Sequence, residues 1–301
     1  MIEWLIDTFS ALQTLLFESV VQPIAFSGGA GNLLDVAYEG TGWFLIGLLQ
    51  ILILLVFVAP LEKWRPFEPV TDSQGVKVDV IYTLIHRLGL FKLVMFFTFE
   101  DAVDTVFGML RVHGLPTFNI DAFWPGVSDI AWVSFILYLV VFDFVNYLIH
   151  RGQHQFNRWW ALHSLHHSQR QMTLWTDNRN HLLDDVITAL LLSVVAKLIG
   201  VNIRCSFGWL GDRLFVSPRF HRLHHAIGIG HESAGRKTLG GHNFGVLFPW
   251  WDMMFRTADF SNRYDPTGVR DQVEEGREYG QSFWAQQKLG FMRFLGKGTS
   301  S

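Results

Sequence analysis

Residues 130–154 read IAWVSFILYLVVFDFVNYLIHRGQH. The first part, Ile130 to Leu148, is almost wholly apolar and matches the roughly 17–25 residues needed to cross a hydrocarbon core. His150 and His154 follow at once, four residues apart. Residues three or four apart on a helix share a face, with Cβ atoms about 5–6 Å apart. HRGQH is therefore read as the same helix continuing beyond the membrane, with both imidazoles on one side. Asp143 is the one charge inside the span. A carboxylate is costly in lipid, so it is expected to face the bundle interior.

Working outward from this span, Trp43 to Pro60 contains no charged residue and is the clearest second crossing. Glu62, Lys63, Trp64 and Arg65 after it read as a basic and aromatic anchor on the cytoplasmic side. A less clean candidate runs from Val80 to Val106, interrupted by His86, Arg87, Lys92, Glu100, Asp101 and Asp104. The loop from His113 to Val127 lacks lysine and arginine and is placed outside. The 130–148 span then returns His150 to the side of Lys63 and Arg65. Leu182 to Val201 is apolar again, followed by the weaker stretch Phe207 to Val216. Histidines on both sides of this insert can meet only if the chain goes in and comes back, as a helical hairpin or a re-entrant pair. Residues 1–26 are apolar but carry Glu3, Asp7 and Glu18 without a basic leader. They are expected to be a further span or an interfacial helix rather than a cleaved signal.

The expected fold is all-α: an integral membrane helical bundle of about four spans, or spans plus a re-entrant hairpin, with a cytoplasmic helical cap carrying the histidines. Three regions follow: 1–41, an apolar or amphipathic N-terminal segment; 42–257, the catalytic domain; and 258–301, a polar cytoplasmic tail ending in a short amphipathic helix around Phe283 to Phe294. If the source is bacterial, the membrane is the inner one.

Composition agrees. Half of the 301 residues are hydrophobic and 17% are charged, while 12 tryptophans and 27 phenylalanines suit interfaces and lipid grooves. A net charge of −3 without a basic stripe gives no reason to expect nucleic acid. A single cysteine, Cys205, excludes an intramolecular disulfide or a thiolate cluster.

Nine of the thirteen histidines lie between 150 and 225. His150 and His154 form HRGQH; His163, His166 and His167 form HSLHH; His221, His224 and His225 form HRLHH. His181, in NRNHLLDD, opens the next apolar segment and is taken as a ninth nitrogen. Neutral imidazole suits zinc, iron, copper and nickel. A lone zinc takes about four ligands, so nine histidines suit two ions with positions left for water or oxygen. Neither the HExxH zinc motif nor a Glu-x-x-His pair is present. Asp143, Asp177, Asp184, Asp185 and Asp252 are candidates to orient the imidazoles, although caps or ion pairs explain them equally well. Trp159, Trp160 and Trp175 could wall the site or anchor the interface. His86 and His113 lie away from the clusters, and His231 and His242 fall in a glycine-rich loop; none of these four is assigned a metal.

The order His150-x-x-x-His154, His163-x-x-His166-His167, Arg179-Asn180-His181, His221-x-x-His224-His225 resembles the fatty acid hydroxylase superfamily, also called the sterol desaturase family. Asn243-Phe244-Gly245 and Trp251-Asp252-Met253-Met254-Phe255-Arg256-Thr257 are similar to its closing signature. The resemblance covers about residues 78–257. It departs at Leu182, where relatives commonly have proline, and at Arg256, where glycine is usual. It implies a non-haem di-metal centre, di-iron in most members, that uses O2 to hydroxylate, desaturate or cleave lipid-like substrates. Sterols, fatty acids, sphingoid bases, carotenoids and alkyl ethers are all substrates within the superfamily.

No haem, flavin or iron–sulfur module is recognisable. Electrons are therefore expected from a separate reductase, ferredoxin or cytochrome, with Arg213, Arg219, Arg222, Arg236 and Lys237 as docking candidates. Two rival readings are a zinc-dependent membrane hydrolase and a histidine-based metal transporter or binding protein. The first lacks an evident carboxylate base. The second should hold its ligands near mid-membrane, whereas these boxes lie beyond span ends.

Overall fold

A computed structural model describes residues 2–66, 68–118, 124–126, 130–198, 218–227, 241–261 and 265–297. Among them the fold is all-helical apart from one isolated bridge between Ala226 and Thr267. The fourteen α-helices are α1 (Ile2–Leu16), α2 (Gln22–Ser27), α3 (Leu34–Ile53), α4 (Ala59–Trp64), α5 (Ser73–Arg87), α6 (Leu90–Met95), α7 (Asp101–Val112), α8 (Ala131–Gln155), α9 (Asn157–His167), α10 (Leu182–Leu198), α11 (Pro218–His224), α12 (Trp250–Phe255), α13 (Arg270–Glu274) and α14 (Phe283–Phe294).

Three helical stretches are long and apolar enough to cross a membrane: Trp4–Ser27, Gly31–Trp64 and Phe135–Gln155. The N-terminal segment is thus one of them. The stretch expected as a single crossing from Val80 to Val106 is instead two helical runs, Ser73–Arg87 and Leu90–Val112, bent by 53°. Gly89 sits at the break with φ +79°, the left-handed region that glycine enters without steric cost. The polar residues before the break are held by neighbours. Arg87 donates to Gln50 on α3 at 2.8 Å and lies 3.7 Å from Asp177, while His86 lies 3.4 Å from Asp185 on α10. Gly47 permits the close approach: a Cβ there would sit 1.7 Å from the Arg87 carbonyl oxygen.

α8 and α9 are separated by Phe156, whose extended backbone (φ −96°, ψ 113°) reverses the chain at the end of HRGQH. α10 then leads away from the histidines, and its last carbonyl, Leu198, accepts from Phe118 N at 2.9 Å in the loop expected outside. By α11 the chain is back beside α9, as the in-and-back expectation requires. Phe207 to Val216, and Cys205, lie outside the described residues.

The segment expected as a tail does not hang free, since α14 packs on α9. Phe283 joins Val78, Tyr82 and Leu165 in one buried cluster, and Tyr279 joins Trp160 and Val269 in another. Gln287 on α14 donates to Tyr82 Oη at 2.9 Å and to the Asn180 carbonyl at 3.2 Å. Its Oε1 accepts from Leu182 N at 2.9 Å. This accounts for one departure from the family pattern. Proline suits the first residue of a helix because its missing N–H is an orphan there, but here that N–H is used to fasten α14.

Gly290 faces His181, and a Cβ at this position would meet His181 Cδ2 at 2.4 Å and Nε2 at 3.1 Å. Alanine gains up to about 1 kcal/mol over glycine inside a helix. The His181 ring is hydrogen-bonded at both nitrogens and has little room to retreat. Gly290→Ala is therefore expected to loosen α14 despite its better helix propensity. Limited proteolysis should cut the C-terminal segment faster in the variant than in the parent.

Candidate metal centre

Three helix ends converge: α8 brings His150 and His154, α9 brings His163, His166 and His167, and α11 with the next residue brings His221, His224 and His225. Eight histidines fall into two groups. His150, His154, His163, His167 and His224 each offer a ring nitrogen, all within 4.8 Å of one another; His166, His221 and His225 do the same. All are buried except His221, which is partly so. The groups adjoin, with the His167 and His225 rings stacked 4.3 Å apart and the His166 and His225 rings at 4.6 Å.

The spacing fits an ion. Metal–imidazole bonds of about 2.1 Å put opposite ligand nitrogens about 4.2 Å apart and neighbouring ones about 3.0 Å apart. His221 Nε2 and His225 Nε2 are 3.1 Å apart.

The ring orientations fit as well. Nδ1 of His150 donates to the Phe244 carbonyl (2.9 Å), and Nδ1 of His224 donates to the His242 carbonyl (2.7 Å). Nδ1 of His166 donates to the Arg179 carbonyl (3.2 Å), and Nδ1 of His163 to the Asp184 carboxylate (3.0 Å). Metal-bound histidines characteristically bond outward in this way. The inward atoms, Nε2 of His150, His163 and His224, are buried without a hydrogen-bond partner. An unsatisfied buried polar atom costs about 1–3 kcal/mol, and ligation would satisfy each of the three. Burial, followed by neighbouring imidazoles, holds His166, His167 and His224 well below the usual histidine pKa. They are therefore neutral, with lone pairs available.

His181 is placed differently from the expectation of a ninth ligand. It belongs to neither group. Its Nε2 donates to the Gln287 carbonyl at 2.7 Å and its Nδ1 accepts from Leu183 N at 3.1 Å, so the ring caps α10 and fastens α14.

Of the acidic candidates, Asp184 reaches the centre directly. Besides His163 it accepts from Gln153 Nε2 (2.8 Å) and Trp159 Nε1 (2.6 Å). Asp252 acts through the backbone, accepting from Phe244 N (2.9 Å), Gly245 N (2.6 Å) and Thr257 Oγ1 (2.6 Å). That fixes the Phe244 carbonyl under His150. Gly245 is required at the turn, because a Cβ would lie 2.7 Å from the Phe248 oxygen. Asp177 and Asp185 instead pair with Arg87 and His86. Trp160 walls the centre, its ring 4.9 Å from His154 and 5.3 Å from His167, whereas Trp175 serves through its carbonyl, which accepts from Thr83. Of the docking candidates, Arg222 lies 3.2 Å from Glu68. Arg213, Arg236, Lys237 and His231 lie outside the described residues, as does the Arg219 side chain.

Sequence reading missed Asp79. It is fully buried and accepts from Arg179 Nε, Gln169 (3.0 Å) and Thr176 (3.3 Å). The signal available was Arg179 in the Arg-Asn-His motif, a buried cation that needs a carboxylate. Of the backbone acceptors, Phe244 sits in the closing signature and His242 immediately precedes it.

Arg256, the second departure, ends α12 in the left-handed conformation (φ 57°, ψ 38°). This explains why glycine is usual there, since a side chain costs about 1–2 kcal/mol in that region. Arg256→Gly is expected to raise the unfolding midpoint in detergent by a few degrees without changing metal content.

Helices of spanning length with buried histidines clustered at the end of one of them define a class: a membrane protein with a histidine-built metal-binding centre. Residues 135–206 match the fatty acid hydroxylase family model. An ornithine lipid hydroxylase of Rhizobium tropici is 24% identical over 263 residues, covering 78% of this chain and 73% of that protein. An alkylglycerol monooxygenase of Caenorhabditis elegans is 28% identical over 163 residues, 46% of this chain and 30% of that protein. No solved structure matches. The family match takes in HRGQH, HSLHH and His181 and ends before HRLHH; over that segment the resemblance read from the histidine boxes is borne out.

Proposed function

We propose that this protein is a membrane-bound, O2-dependent oxygenase that hydroxylates or desaturates a C–H bond of a lipid, using two iron ions held by its two histidine groups. The observation that carries the reading is the pairing of those adjoining groups, built from nitrogen alone. The ornithine lipid hydroxylase and alkylglycerol monooxygenase relatives favour a lipid substrate and insertion of oxygen. His150, His154, His163, His167 and His224 would hold one ion and His166, His221 and His225 the other. His181 is left to its structural role.

When bound, iron would supply the O2 chemistry that attacks an unactivated C–H bond. The protein's own part is positional. Asp184 and the carbonyls of Phe244, Arg179 and His242 fix four imidazoles by their outer nitrogens, so the inner ones need no reorganisation to ligate. Burial keeps His166, His167 and His224 neutral, and the Trp160 and Phe244 rings exclude water beside His154. Hydroxylation consumes one O2, two electrons and two protons, inserts one oxygen atom into the C–H bond and releases the other as water. A separate protein supplies the electrons. We place the centre on the cytoplasmic face. Glu62, one residue before Lys63, accepts from Leu174 N at 3.0 Å, putting that basic helix end beside the histidine end of the bundle.

The test is lipid mass spectrometry of cells expressing the protein or its His224→Ala variant. A lipid that gains one oxygen atom, or loses two hydrogens, only with the parent chain supports the reading. Unchanged lipids under aerobic growth with a competent electron donor would sink it.

A further inference from the structure

We propose that α12 and the turn before it form a membrane-embedded element, whose outer face of Trp250, Met253 and Met254 lies against the acyl chains of the bilayer. The argument starts at Asp143. It lies seven residues before His150 on α8, about 10 Å along the axis toward the helix N-terminus at 1.5 Å per residue. Its carboxylate is buried and accepts from Leu247 N (2.8 Å), Phe248 N (3.1 Å) and Trp251 Nε1 (2.8 Å). The 247–251 turn is therefore pinned alongside α8 about five residues, roughly 7–8 Å, inside the end of the 130–148 span rather than above that end. Non-helical backbone is tolerated at that depth only where its polar groups are satisfied by protein, and Asp143 satisfies two of these N–H groups.

α12 is held at the same level. Trp251 packs on Phe144 with centroids 4.7 Å apart, and Phe255 stacks on Tyr147 at 5.4 Å. The one charged side chain within α12, Asp252, is fully buried and turned inward. The outward side is apolar throughout, with Trp250 52%, Met253 58% and Met254 66% exposed. On α8, Leu148, the residue after Tyr147, is also exposed, at 47%. Arg256 follows immediately and is exposed, placed where a long basic side chain reaches lipid phosphates from the edge of the core. Lipid is the occupant because the face adjoins the last turns of a spanning helix, just inside its membrane end, and carries no polar side chain. The inference rests on α8 crossing the membrane and not on the oxygenase reading.

The experiment uses the full chain with Cys205→Ser, Met254→Cys labelled with an environment-sensitive fluorophore, and reconstitution in phosphatidylcholine vesicles. Leu148→Cys serves as the reference on α8, and Met253→Cys gives an independent second reading of the same face. The expected result is loss of label fluorescence at 254 and 253 when the lipids carry nitroxides on their acyl chains, with none on adding iodide, as at 148. Iodide quenching at 254 and 253 with acyl-chain quenching at 148 would overturn the proposal. So would protection from both quenchers, which means a protein surface such as a second copy covers the face. Iodide quenching at 148 itself would remove the span on which the inference rests.

Discussion

Asp79→Ala is expected to destabilise the protein by about 3–5 kcal/mol, the usual cost of removing one partner from a buried ion pair. Arg179 is 4% exposed, and its guanidinium would be left buried beside a methyl group, with Gln169 and Thr176 also losing their shared acceptor. The damage should reach the metal centre by a defined route. Arg179 offers its carbonyl to His166, so a displaced Arg179 frees one ring of the three-histidine group. Thermal unfolding in detergent should show a large drop in midpoint for Asp79→Ala and a smaller one for Asp79→Asn, which keeps an acceptor. Equal midpoints for parent and Asp79→Ala would show that the pair does not organise this corner.

Asp184→Ala should act on the other group. It leaves His163 Nδ1, Gln153 Nε2 and Trp159 Nε1 without their common acceptor. Loss of a carboxylate behind a ligating histidine typically costs about 10–100-fold in metal affinity. Titration with a competing chelator is expected to strip metal from Asp184→Ala at correspondingly lower chelator concentration, with Asp184→Asn in between. Unchanged resistance would mean that His163 is not a ligand.

The parts of this arrangement that could be read in the sequence are those with local spacing. An apolar run of spanning length feeding into HRGQH determines α8, and HSLHH and HRLHH each project their rings from one helical turn. The amphipathic spacing of Phe283 to Phe294 reads as a helix, and α14 has those bounds. The closing signature becomes physical through Asp252, which gathers Phe244 N, Gly245 N and Thr257 at short range.

What could not be read depends on residues far apart. His181 has the look of a ligand because it opens a helix near other histidines, yet its ring is claimed by Gln287, more than a hundred residues later. The Asp79–Arg179 pair is equally remote, and three of the four outward acceptors are backbone carbonyls, which carry no residue-type signal. The break at Gly89 was hidden because a glycine within an apolar run fits a continuous span as well as a bend. The charges of the polar tail gave no sign of what its amphipathic helix packs against, and Phe283, Gln286 and Gly290 form a narrow buried stripe within it.

The most direct test of two metal ions held by two histidine groups is metal content per chain in protein purified from iron-supplemented cells, beside His224→Ala and His225→Ala. The account predicts about two irons in the parent and about one in each variant, since each substitution removes a ligand from a different group. One metal or none in the parent, or a content unchanged by either substitution, would contradict it.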